Sequence, residues 1–74
     1  MSLTMKQWRL AKEMSQEDLA RKCNVHRNTI ASWEEDPESV SIKNARLISK
    51  ALNEPVDVIF FSNSSTKRRN EILD

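Results

Sequence analysis

The stretch 15–35, SQEDLARKCNVHRNTIASWEE, constrains the fold more than any other part of the chain. It reads as two short helices joined by a tight turn. Ser15 is a good N-cap, and Asp18, three residues on, is a weaker form of the capping-box acid. Leu19 and Ala20 follow as apolar residues. Asn24 interrupts the run, and Asn is second to Gly as the left-handed residue that closes a helix. Val25 is apolar, and a second helix starts at His26 or Arg27. Ile30 and Trp33 stand three apart in it and share a face. Only about three residues remain outside helix, which is the connection of a helix-turn-helix.

The flanks continue in the same style. Thr4 is an N-cap for a first helix over 5–12, in which Met5, Trp8 and Ala11 recur every three residues and Leu10 lies off the stripe. Helices over 16–23 and 27–35 follow. Asp36 and Pro37 end the third, because the residue before proline is pushed away from helical angles. Residues 38–40 make a loop. Ser41 caps a fourth helix over 42–52, with Ile42, Ala45, Ile48 and Leu52 as its stripe and Leu47 and Ala51 beside it. Asn53 again supplies a left-handed end. Pro55 suits the first turn of a short fifth helix, in which Val56, Ile59 and Phe60 close the core. The expected organisation is an all-α, five-helix domain over 1–61 and a polar tail over 62–74. Lys67, Arg68 and Arg69 stand in a row in that tail, and a further helical turn is expected over 70–73.

Composition narrows the function. Seventy-four residues make one domain at most. The single cysteine, Cys23, excludes a disulfide framework and a multi-cysteine metal site, and no partner residue marks it as a reactive thiol. Gly is absent, so no glycine-rich phosphate loop exists and the turns lean on Asn and Asp. No long apolar run or signal peptide is present, which points to a cytoplasmic protein with no membrane partner. No His, Cys and acid cluster has metal spacing, and no serine has a plausible histidine base. The adjacent acids Glu17 and Asp18, and Glu34 and Glu35, point different ways on a helix. The expectation is therefore a non-enzyme without cofactor or metal. Net charge is only +1, but it is unevenly spread. Lys6, Arg9, Lys12, Arg21, Lys22 and Arg27 precede Trp33, the acids Glu34, Glu35, Asp36 and Glu38 follow, and Lys43, Arg46 and Lys50 come next.

Gln16, Leu19, Ala20, Asn24, Val25, Ile30 and Trp33 stand at the spacing of the helix-turn-helix core. In this the chain resembles the phage-repressor and Cro-like (XRE-type) DNA-binding proteins over roughly residues 4–60. The resemblance implies a lambda-repressor-like fold. It also implies that Ala20 is small because the next helix crosses there, that Asn24 replaces the family's usual Gly, and that Glu34 pairs with Arg9 on the first helix.

A helix-turn-helix sets its second helix in the DNA major groove, with residues near that helix's start against base edges. Here these are Arg27 and Asn28, with Ser32 one turn later and Ala31 placed for a thymine methyl. Arg can grip guanine O6 and N7, and Asn adenine N6 and N7, each with two hydrogen bonds. The start of the second helix suits a phosphate. By resemblance Gln16 reaches the DNA backbone there and Lys43 adds a further backbone contact; His26 and Thr29 are further candidates for phosphates. The expected function is a sequence-specific transcriptional regulator of phage or plasmid repressor type. It would bind a double-stranded operator as a homodimer, since one recognition helix reads few base pairs. By resemblance the dimer surface is the fifth helix with the neighbouring tail. The acidic run EEDPE argues for an alternative, because acids near phosphates subtract from binding. In that alternative an anti-repressor or antitoxin docks a second regulatory protein through the acidic loop, Val40, Val58 and Phe61.

Overall fold

The computed structural model describes residues 3–61, and the expected tail and its helical turn lie outside the described residues. Five helical segments follow one another: α1 (Met5–Ala11), α2 (Gln16–Cys23), α3 (Arg27–Glu35), α4 (Ile42–Leu52) and α5 (Asp57–Phe61). A 3-10 turn, Pro37–Ser39, occupies the expected loop before α4. No strand occurs among the described residues.

The starts of the helices are set by reciprocal side-chain caps. The Gln7 N–H donates to Thr4 Oγ1 (3.2 Å) and the Thr4 N–H to Gln7 Oε1 (2.8 Å). Asp18 proves a full capping-box partner: its N–H donates to Ser15 Oγ and the Ser15 N–H donates to its carboxylate, both at 2.9 Å. Ser41 Oγ accepts from the Asn44 N–H at 3.2 Å. These bonds satisfy amides that have no acceptor inside the helix.

The ends share one device. Glu13, Asn24 and Asn53 take left-handed angles, with φ of 60°, 58° and 59°. The next N–H in each case reaches back five residues: Met14 to the Arg9 carbonyl, Val25 to that of Ala20, Glu54 to that of Ser49. That is the Schellman closure. The two asparagines stand where the sequence wanted them; Glu13 carries no such signal.

α2 is the centre of the molecule, packing on α3 and on α4, while α5 packs on α1. The core gathers Met5, Leu19, Ala20, Cys23, Ile30, Trp33, Ile48, Leu52 and Ile59. Burial raises the pKa of the Cys23 thiol, which fits a small core residue.

Four expectations need correction. The buried face of α1 is Met5 and Arg9, an i, i+4 pair, rather than a stripe through Ala11, which is exposed. Trp8 is half-buried, with Lys12 Nζ 5.8 Å from its ring centre. Ile42 is 61% exposed and Leu47 37%. A helical side chain leans toward the helix N-terminus, so Ile42, first in α4, overhangs the turn before it instead of reaching α2. The fifth helix is a single wide turn of π type in which Ile59 is buried and Val56 and Phe60 are half-buried.

Candidate nucleic-acid interface

The site begins with how firmly α3 is held. Trp33 and Ile30 anchor its inner face in the core. Glu34, one position on from Trp33, reaches a second anchor. Arg9 Nε donates to Glu34 Oε2 at 2.6 Å, Arg9 Nη2 donates to Oε1 at 3.4 Å, and Arg9 Nη1 donates to the Met14 carbonyl at 2.6 Å. Gln16 Nε2 donates to Glu34 Oε1 at 3.0 Å. One carboxylate thus ties α3 to both α1 and α2. The pair expected between Arg9 and Glu34 is present, and it is buried: the side chains are 6% and 4% exposed. Such a pair fixes geometry more surely than it adds stability, because desolvation offsets much of the attraction.

With its inner face fixed, α3 presents Arg27, Asn28 and Ser32 as exposed side chains and Ala31 as a half-buried one. All four expected base readers therefore lie away from the Ile30 and Trp33 face. His26 is the N-cap of α3 by backbone angle, is exposed, and makes no side-chain cap bond. Thr29 is half-buried on the flank of the same turn. Lys43 is exposed on the first turn of α4, and no hydrogen bond or ion pair joins it to α3.

Gln16 sits differently from a free phosphate ligand. Its amide nitrogen is engaged by Glu34. The N–H groups of Gln16 and Glu17, first in α2, have no hydrogen-bond partner among the described residues, as helix geometry requires of a helix start. Asp18 in the same turn has its pKa lowered, first by the Ser15 N–H, then by the Ser15 hydroxyl, with Arg21 adding to both. The Arg21 guanidinium lies 2.8 Å from Asp18 in an exposed pair.

One residue of the basic set was not expected at this site. Lys6 of α1 joins Gln16, Ala31, Glu34 and Glu35 around a shallow depression of about 220 Å³ between the helices. No local pattern marks Lys6, since only the packing of α1 brings it beside the α2 start and α3. The acids Glu35, Asp36 and Glu38 are all exposed, and none has an ion-pair partner among the described residues.

No group of three or more His, Cys, Asp or Glu able to hold a metal ion occurs among the described residues, and no helix there is long and apolar enough to cross a membrane. Residues 5–59 match the helix-turn-helix family. The chain is similar to control protein C.BamHI of Bacillus amyloliquefaciens, with 43% identity over 60 residues that cover 78% of this chain and 74% of that protein. No solved structure gives a significant match.

Proposed function

The chain belongs to the helix-turn-helix family and is a DNA-binding transcriptional regulator, and from that premise we propose that α3 reads its operator through Arg27, Asn28, Ser32 and Ala31. The observation that carries this reading is the outward face of α3. Three polar side chains stand there, exposed, on a helix whose other side is locked by Trp33 and the buried Arg9–Glu34 pair. A rigid helix is what direct readout needs, since a bidentate contact is lost by small displacements. Gln16, His26, Thr29 and Lys43 are the assigned phosphate contacts. For Gln16 the contact falls to its free amide N–H at the α2 start, where partial positive charge favours an anion.

The protein works by binding rather than by catalysis, as a control protein similar in kind to its relative. It acts as a homodimer, because one recognition helix covers too few base pairs to find an operator. The α5 end is the face we assign to the second copy, where Ile42 and Phe61 stay exposed.

Binding to the regulatory region of its own gene, set against random DNA at physiological salt, tests the assignment. Specific binding should be about 10³-fold tighter or more. Arg27→Ala and Asn28→Ala should each lose about 1–3 kcal/mol at particular base pairs. Lys43→Ala should weaken binding evenly and flatten the salt slope by about one unit. An affinity ratio near one would overturn the reading.

A further inference from the structure

The depression between α1, α2 and α3 holds two charges that the contacts assigned above do not use. Lys6, Gln16, Ala31, Glu34 and Glu35 surround it. Glu34 is engaged within the fold, since Arg9 and Gln16 donate to its two oxygens. Glu35 is exposed and has no ion-pair partner among the described residues. Lys6 is exposed as well, and its ammonium makes no ion pair among those residues.

The surroundings of Lys6 say what it faces. Ala31 shares the outer side of α3 with Arg27, Asn28 and Ser32, and Gln16 is the first residue of α2. The major groove is about 12 Å wide. A helix with its side chains is about 10–12 Å across. A recognition helix seated there therefore has a phosphate strand close on each flank. Lys6 and Gln16 stand together on one flank of α3. We propose that Lys6 holds a DNA backbone phosphate on this flank, in competition with Glu35. The proposal rests on the reading that the outer face of α3 meets the major groove. An ammonium on a flexible four-carbon stem follows a phosphate without a fixed geometry. In the free protein Glu35 draws Lys6 across the depression, and on DNA a phosphate takes its place. Lys6 then adds one neutralised phosphate per copy, and Glu35 weakens that contact.

Titration of the full chain against two duplexes tests this, one from the regulatory region of its own gene and one of random sequence. Lys6→Gln should reduce the slope of log affinity against log salt by about one unit on both. The advantage of the wild type over Lys6→Gln should thus shrink about 3.5-fold between about 50 and 200 mM salt. Lys6→Arg should keep the wild-type slope. Lys50→Gln removes the same charge beyond the far end of α1, beside the Glu54 that holds Lys12, and should leave the slope unchanged. Glu35→Gln should raise affinity for both duplexes severalfold at low salt, and most of that gain should vanish in the Lys6→Gln chain. A slope unmoved by Lys6→Gln, an equal change with Lys50→Gln, or a Glu35→Gln gain undiminished without Lys6 each overturns the proposal. Preference for the native duplex over the random one is a separate readout of the same titrations. A wild-type ratio near one strikes the operator assignment and leaves the Lys6 slope standing. A large ratio with an unmoved slope strikes the Lys6 contact alone.

Discussion

Glu34 accepts hydrogen bonds from side chains on two other helices, and that sharing sets what its loss costs. Glu34→Ala leaves the Arg9 guanidinium buried and half-satisfied, which costs about 3–5 kcal/mol. A domain of this size has about that much stability in total. Urea titration should find Glu34→Ala and Arg9→Ala each largely unfolded, and a double-mutant cycle should show strong coupling; independent effects would remove the pair from the fold's framework. Glu13 carries a smaller and opposite cost. Holding a residue with a Cβ in the left-handed region costs about 1–2 kcal/mol, less for Asn, whose short side chain bonds locally. Glu13→Asn should therefore stabilise by about 0.5–1 kcal/mol, read as a higher melting temperature. Asp18 adds a pH dependence. Its folded pKa lies below the ordinary value of 3.8, so its stabilisation is present above that value and fades as pH falls through the lower folded value. Asp18→Asn should lower stability at neutral pH, flatten the stability curve below about pH 4 and approach the wild type in stronger acid. These residues also divide by legibility. Asn24 and Asn53 announce their angles in their chemistry, whereas Glu13 does not, because its conformation is imposed by the closure at Met14. The Arg9–Glu34 pair followed from resemblance, but its depth depends on three helices meeting and leaves no trace in local spacing.

At the scale of elements, the helix-turn-helix was readable because each signal is short-range. Ser15 starts α2, Asn24 ends it, and Ile30 and Trp33 give α3 its inner face within nine residues. The turn makes a direct test. Asn24→Gly should be neutral or slightly stabilising, since Gly takes φ near 58° freely. Asn24→Val should destabilise by about 1–2 kcal/mol; a valine variant melting with the wild type would mean that α2 does not end there. The stripe of α4 was readable as well, through Ala45, Ile48 and Leu52. Ile42 broke the expectation because periodicity describes a helix alone, whereas burial needs a neighbour at that height. The wide turn of α5 was hidden for a related reason. Pro55 signals a helix start, and the i, i+5 spacing that follows is settled by seating Ile59 in the core.

At the scale of the whole molecule, charge is unevenly placed among the described residues. Arg27, Asn28, Ser32 and Lys43 stand exposed on the α3 side and the first turn of α4, while Glu38 lines a groove with Ile42 and Phe61 and Glu35 stays beside Gln16 and Ala31. The acidic run is therefore divided: Glu38 borders a different surface, whereas Glu35 remains near the α2 start and subtracts from the attraction that face offers to phosphate. If the second copy meets this one at the α5 end, two α3 helices face the DNA together and their separation is fixed by the protein. The operator then carries two half-sites about 10–10.5 base pairs apart, or a multiple of that. Inserting five base pairs between them turns one half-site about half a helical turn away. Footprinting should show the pair occupied together on the native spacing. On the lengthened operator each half-site should fill alone, at higher protein concentration, and a ten-base-pair insertion should restore part of the joint binding. Equal occupancy at all three spacings would mean that each copy binds independently, and the α5 end would then have no part in operator recognition.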